Sequence, residues 1–163
     1  MRLLGFVQWL QQTAWATAFR ESTLAYPIVE GIHLLALSAS VGLIAICDLR
    51  LMGIALTTRP ASEVLKYLRS GSLIGFTVMF ASGALLFAAA AEKCYYNEWF
   101  RLKVLLLFLA GVNALVFNLT VYRNITAWDV AGVPPLAARR AGLFSLILWA
   151  LVIVAGRTTA YNL

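Results

Sequence analysis

Apolar residues gather in four long blocks along the chain, and polar or charged residues stand mainly in the connections between them. A helix needs about 20 predominantly apolar residues to cross the hydrocarbon core of a bilayer. The blocks therefore predict spans over residues 27–47, 70–91, 102–122 and 141–156, with no charged residue in the second or the fourth. The pattern predicts an all-α, integral membrane four-helix bundle that forms a single transmembrane domain over residues 1–163.

The segment before the first block, residues 3–19, has a different pattern. It is apolar but interrupted by Gln8, Gln11 and Gln12. At helical spacing, one stripe of this segment carries only apolar side chains, those of Leu3, Val7, Leu10, Ala14 and Ala18. An apolar stripe beside polar side chains is typical of a helix that lies in the membrane interface. We therefore expect an N-terminal interfacial amphipathic helix over residues 3–19.

Small side chains recur on one face of the second predicted span. Gly71, Gly75, Met79 and Ser82 share this face at helical spacing. In membrane proteins, small residues let the backbones of two helices approach closely. We therefore expect another span to pack against this face.

Composition and charge support lipid as the surroundings of the chain. Hydrophobic residues make up 62% of the sequence and charged residues 12%, which is about half the charged fraction of a soluble domain. The net charge of +6 is compatible with nucleic acid, but the Lys and Arg residues stand at the ends of the apolar blocks and in the connections. Anionic headgroups meet cationic residues at those positions. We expect membrane lipids, and not nucleic acid, as partners.

The distribution of Lys and Arg also indicates an orientation. The side that holds the first and third connections carries seven of them, namely Arg50, Arg59, Lys66, Arg69, Arg123, Arg139 and Arg140. The side that holds both termini carries six. Because the cytoplasmic side of a membrane protein carries the excess of Lys and Arg, this count favours both termini outside the cell.

A few ionisable or amide side chains lie inside the predicted spans, where they are energetically costly and are functional candidates by default. Glu30 and His33 are three residues apart, so they are neighbours on one face of the first span. Lys103 enters the third span from the same side of the membrane, at a depth similar to that of Glu30. We expect an ion pair between Glu30 and Lys103 with His33 alongside. Asn113 lies deeper and is expected to hydrogen-bond across to the first span.

This polar cluster has three interpretations. It can hold the helices together as a structural contact, it can use His33 as an axial ligand of haem b, or it can move protons or a small solute through Glu30 and Lys103. For haem, the second axial ligand is Met79 or a histidine from a second subunit. The depths of His33 and Met79 differ by about 7 Å, which weakens the single-chain form.

Other metal sites and catalysis have little support. Glu-x-x-His is a di-iron ligand spacing, but a di-iron bundle needs two such motifs, and the chain has one histidine. We assign no metal site. Neither a nucleophile with a base nor a phosphate-binding glycine loop is present, so we assign no catalytic residue.

Asp48 and Arg50 flank the exit of the first span and are interpreted as interfacial anchors, with Arg50 reaching headgroup phosphates and Asp48 capping the helix or forming an ion pair. The two cysteines, Cys47 and Cys94, fall at opposite membrane faces about 30 Å apart, too far for a disulfide within one chain. We expect two ordinary buried thiols.

Two motifs around the first span resemble a known signature. Tyr26-Pro27-x-x-Glu30-x-x-His33 is followed by Asp48-Leu49-Arg50-Leu51-x-Gly53, and Asn97-x-x-Phe100-x-x-Lys103 comes later with Asn113. Over about residues 20–120, the chain resembles a family of small four-span bacterial membrane proteins of unknown function. The resemblance implies a bacterial inner membrane, which places both termini in the periplasm, and it implies no established activity.

We therefore expect a non-catalytic integral membrane component that works as a homo-oligomer or as a subunit of a larger complex. In this hypothesis Glu30, His33, Lys103 and Asn113 organise the outer half of the bundle. The alternatives are a haem b electron carrier and a transporter of protons or a small solute. The sequence names no cofactor.

Overall fold

Four helices of the chain are long and apolar enough to cross a membrane, as the hydropathy pattern predicts. The structure is a computed structural model that describes residues 2–129 and 133–161. Its elements are α1 (Arg2–Gln12), α2 (Ala14–Glu21), α3 (Ala25–Leu51), α4 (Ala61–Ala89), α5 (Ala91–Tyr96), α6 (Glu98–Thr120), a 3-10 segment (Tyr122–Ala127) and α7 (Leu136–Tyr161). The spans are α3, α4, α6 and α7. The prediction of an all-α membrane bundle with four spans is confirmed.

The spanning helices are longer than the apolar blocks that predict them. The helix α4 has 29 residues and begins at Ala61, well before the predicted start at Ser70. At 1.5 Å per residue it is about 43 Å long, whereas the hydrocarbon core is about 30 Å thick. The polar first turns of α4 therefore continue the helix beyond the apolar block. Part of the third connection, residues 130–132, lies outside the described residues.

The N-terminal segment forms two helices, so the prediction of one helix over residues 3–19 is wrong at Thr13. The backbone of Thr13 is extended, and its hydroxyl donates to the Leu10 carbonyl at 2.7 Å. Two glutamines of α1 face the protein, because Gln8 Nε2 donates to Glu92 Oε1 at 2.9 Å and Gln11 Oε1 accepts from the Glu92 backbone amide at 2.8 Å. These bonds dock α1 on α5. Large apolar side chains of α1 are left exposed, namely Leu3, Phe6 and Trp9.

The spans pack in a definite order. The first span α3 lies against α4 on one side and α7 on the other, and α6 packs mainly on α7. Side chains from all four spans meet in one buried core, made of Ala36, Met79, Leu106, Ala110, Trp149, Val152 and Ala155. Towards the end where α3 finishes, α4 and α6 face each other across a gap.

Glycines set the two closest helix crossings. On α4, a Cβ at Gly75 would collide with the Ser40 hydroxyl of α3, which confirms the prediction that another span packs on the small-residue face. On α7, a Cβ at Gly142 would lie 2.8 Å from the carbonyl oxygen of Asp48. The helix α3 takes part in both crossings, which hold α4 and α7 close to its backbone.

Candidate functional site

His33 lies between α3 and α4 and is held by the backbone of α4. Its Nδ1 is 2.9 Å from the Met79 carbonyl oxygen and 3.1 Å from Ser82 Oγ. A carbonyl only accepts hydrogen bonds, so Nδ1 carries a proton, and in the neutral ring Nε2 keeps a free lone pair. Gly83 makes room for the ring, because a Cβ there would lie 3.1 Å from His33 Cε1.

Glu30 and Lys103, which were expected to pair beside His33, are not in contact with each other. Both act electrostatically on the His33 ring, yet across the described ranges no ion pair joins the carboxylate to the ammonium group. Glu30 is exposed on α3, whereas Lys103 is half-buried and runs along α7 with Nζ 3.5 Å from the Cβ position of Gly156. The expected ion pair is not formed, because α6 packs on α7 and not directly on α3.

Asn113 belongs to the other half of the bundle. Its side-chain nitrogen donates to the Ala141 carbonyl of α7 at 3.0 Å. The expected bond to the first span is therefore replaced by one that joins the third and fourth spans. Of the four polar residues singled out from the sequence, His33 bonds to α4, Lys103 lies beside Gly156 of α7, Glu30 is exposed on α3, and Asn113 bonds to the Ala141 carbonyl.

The surroundings of His33 do not fit a haem held within one chain. Met79 is 4% exposed, and it packs in the core among residues that include Leu106 and Trp149. The His33 ring also forms a hydrogen bond with the backbone carbonyl of Met79 and packs closely against Gly83. A porphyrin needs a slot between its two axial ligands, and this packing leaves none between His33 and Met79.

A cavity that sequence reasoning missed lies in the gap between α4 and α6. Its volume is about 280 Å³, and α3 and α7 contribute to its walls. Most of its lining is apolar, and six polar or charged side chains also reach it, those of Asp48, Arg69, Ser72, Asn113, Asn118 and Ser145. Apolar clefts with a few convergent polar groups are the usual form of small-molecule sites.

Asp48 and Arg50 are buried, so the interpretation of the two as interfacial anchors, with Arg50 reaching headgroup phosphates, is corrected. Asp48 is 5% exposed and Arg50 is 2% exposed. Arg50 Nε donates to the Arg59 carbonyl at 2.9 Å, which ties the end of α3 to the first connection. The Oδ2 atom of Asp48 and the Nη1 atom of Arg50 are buried without a hydrogen-bond partner in the described part of the chain. Asp48 is buried because α7 crosses the last turns of α3 closely at Gly142.

Both cysteines are free and buried. Cys47 lines the cavity beside Asp48. Cys94 is on α5, outside the spans, and burial raises the pKa of its thiol to about 11, with a smaller opposite effect of Lys103. At neutral pH, Cys94 is therefore a protonated thiol and a poor nucleophile.

Comparison with protein families agrees with the resemblance seen around the first span. A model described as a family of unknown function (DUF6644) matches residues 21–162, so it includes the fourth span, which the motifs themselves did not cover. Neither a curated protein nor a solved structure matches the chain. Since the match covers most of the chain and all four spans, the protein belongs to the family of unknown function DUF6644.

Proposed function

We propose that the protein is a non-catalytic integral membrane component that works as a homo-oligomer or as a subunit of a larger membrane complex. The observation that carries this proposal is Glu30, which is exposed on a membrane span and has no hydrogen bond or ion pair with any described residue. A second chain that covers this flank of α3 would supply the missing partner.

The depth of Glu30 makes its exposure costly. The helix α3 has 27 residues and is about 40 Å long, so a centred helix extends about 5 Å beyond the hydrocarbon at each end. Glu30 is five positions after Ala25, about 7.5 Å from the helix start, and so lies just inside the hydrocarbon boundary. A charged group at the bilayer centre costs about 2.5–3.5 kcal/mol on insertion scales, and less near the boundary.

Lys103 supplies the complementary charge. It is half-buried in α6 and, within the described residues, forms no ion pair. Two copies of the chain can therefore pair Glu30 of one with Lys103 of the other. Such polar contacts contribute about 0.6 kcal/mol each on average in a membrane, but they determine which helices touch.

The test is a photo-crosslinkable amino acid in place of Leu34, one turn from Glu30 and 52% exposed. Irradiation of native membranes should give an adduct of twice the chain mass for a homo-oligomer, or of another discrete mass for a complex with a different subunit. The matched control is the same amino acid at Leu119 of α6, which is 63% exposed. The adduct at position 34 should weaken in Glu30→Gln.

The outcome that contradicts the proposal is equally specific. If the probe at position 34 gives no discrete adduct while the protein is folded in the membrane, this flank of α3 faces lipid alone. An adduct that is equally strong at both positions, and unchanged in Glu30→Gln, would indicate random collision. Either result removes the role assigned to Glu30.

The location that goes with this proposal is a bacterial inner membrane with both termini in the periplasm. The count of Lys and Arg, seven against six, supports that orientation. Fusion of a periplasm-dependent and a cytoplasm-dependent reporter enzyme to the C-terminus measures it. Activity of the cytoplasmic reporter alone would reverse the assignment.

A second candidate is a haem b bound between two copies through their His33 rings. The hydrogen bond from His33 Nδ1 to a backbone carbonyl supports this candidate. A histidine that binds a metal usually donates a hydrogen bond from its other ring N–H group in this way. A reduced-minus-oxidised spectrum of protein purified without detergent exchange tests it. Haem bands that are lost in His33→Ala would favour this candidate, and their absence from the wild type would exclude it.

The geometry gives less support to transport through Glu30 and Lys103. Neither side chain lines the cavity between α4 and α6. A transport path needs its ionisable groups beside a water-accessible space. Loss of flux in Glu30→Gln vesicles is the result that would restore this alternative.

A further inference from the structure

The cavity between α4 and α6 holds a buried acid that no described basic side chain neutralises. Asp48 is 5% exposed, lines the cavity, and has its Oδ2 atom buried without a hydrogen-bond partner in the described ranges. Of the polar side chains that line the cavity with Asp48, Ser145 belongs to α7, the helix that crosses α3 at Asp48. A serine hydroxyl supplies no positive charge, so the site lacks a cation.

Two arginines lie close to Asp48 in the chain or in the cavity wall, but neither supplies that cation. Across the residues that the structure describes, no Lys or Arg nitrogen lies within 4.0 Å of the Asp48 carboxyl oxygens. Arg69 lines the same cavity but is exposed, and its guanidinium carbon stands 5.8 Å from the centre of the Tyr122 ring. Arg50 instead donates to the Arg59 carbonyl.

The rest of the lining suits the apolar part of a ligand. Its aromatic members are Phe117, Phe76, which stacks on Trp149, and Tyr122, which faces the Arg69 guanidinium. Its aliphatic members include Leu51, Leu65 and Leu73. Aromatic faces attract organic cations through their quadrupole, most strongly where water is excluded. A carboxylate beside aromatic and aliphatic walls is complementary to an ammonium group on an apolar body.

We propose that this cavity binds the ammonium group of a small amphipathic organic cation, with Asp48 as the counter-ion. The volume of about 280 Å³ accommodates one small molecule or one lipid headgroup with the start of its chains. The gap between α4 and α6 is the route from the bilayer. The site is independent of the Glu30 flank, because it lies in the opposite half of the bundle.

Binding is tested with two probes of the same shape. Benzyltrimethylammonium carries the charge, and neopentylbenzene is its neutral isostere, with carbon in place of nitrogen. Titration into purified full-length protein in phosphatidylglycerol nanodiscs, followed by ligand-observed NMR, should give saturable binding of the ammonium compound only. In Asp48→Asn, the dissociation constant should rise about tenfold or more, because the ion pair is lost in a desolvated site.

Two further variants distinguish the effect of the Asp48 charge from a general loss of structure. Glu63→Gln removes a carboxylate at the same membrane face but outside this cavity, and it should leave binding unchanged. Phe117→Leu keeps an apolar wall but removes an aromatic face, so the dissociation constant of the ammonium compound should rise several-fold. Asp48→Asn keeps the size and shape of the side chain, so its thermal stability should stay close to that of the wild type.

The source of the ammonium group is decided in parallel. Native mass spectrometry of protein from nanodiscs with phosphatidylethanolamine should show a retained lipid, lost in Asp48→Asn, if the natural ligand is a headgroup. Binding of benzyltrimethylammonium that phosphatidylethanolamine does not displace indicates a free amphipathic amine. The proposal is overturned if both isosteric probes bind alike, if neither binds to folded protein, or if Asp48→Asn keeps the wild-type affinity.

Discussion

The crossing of α7 over α3 gives the sharpest test of the packing. A Cβ at Gly142 would stand 2.8 Å from the Asp48 carbonyl oxygen and 3.3 Å from Leu51 Cβ. The nearest obstacle is backbone, which cannot rotate away as a flexible side chain can. In Gly142→Ala the two helices must therefore separate by several tenths of an ångström or more, and overpacking of this kind costs about 1–3 kcal/mol.

The matched control is Gly111→Ala in α6. A Cβ at Gly111 meets nothing within 4 Å, and the position is likewise inside a spanning helix. Both substitutions gain the helix preference of alanine over glycine, about 1 kcal/mol in water. The difference between the two variants therefore isolates the collision, and it should equal about 1–3 kcal/mol, or about five- to 150-fold in the unfolding equilibrium constant.

Unfolding in mixed micelles of a mild detergent and sodium dodecyl sulfate measures this difference. Trp149 lies in the core and reports unfolding by its fluorescence. We expect Gly142→Ala to unfold at a lower mole fraction of sodium dodecyl sulfate than the wild type. Gly111→Ala should unfold at the same mole fraction or a higher one. Equal midpoints for the two variants would show that α7 does not cross α3 this closely.

Three further predictions test other contacts. Gly75→Ala should destabilise the bundle by about 1–3 kcal/mol, because the new Cβ meets the Ser40 hydroxyl, and adding Ser40→Ala should recover most of that loss in a double-mutant cycle. Asp129→Ala should cost about 1 kcal/mol of unfolding free energy, since Asp129 accepts the amide of the second residue of α4 at 3.1 Å, a bond that Pro60 at the N-cap does not supply. Cys94, whose pKa burial raises to about 11, should react with N-ethylmaleimide at about pH 8 far more slowly in folded than in unfolded protein, and equal rates by peptide mass spectrometry would contradict its burial.

The spans were predictable because lipid imposes a length and a polarity that a single sequence displays directly. The same rule missed the ends of the helices, since α4 begins at Ala61 in a polar stretch that hydropathy assigns to a connection. The break at Thr13 was missed for a different reason. Its hydroxyl bond to Leu10 interrupts a helix whose apolar pattern continues without change.

The sequence predicts the depth of the candidate residues in the membrane, but it does not predict which neighbouring helix each side chain faces. Helix rise gives similar depths for Glu30 and Lys103, but it does not say that α6 packs on α7 and leaves α3 to one side. Asn113 bonds to the Ala141 carbonyl for the same reason. Asp48 was the largest omission, because a charged residue at the end of an apolar block indicates an interface, and only the neighbouring helix shows that it is covered.

The contact between α1 and α5 has a consequence for biosynthesis. Gln8 and Glu92 are 84 positions apart, and the first two spans lie between them. At about 5–20 residues per second, the ribosome takes about 4–17 s to make the second partner after the first. For that interval the side chains of Gln8 and Gln11 lack their partner Glu92, so water or lipid headgroups must satisfy them until α5 has emerged.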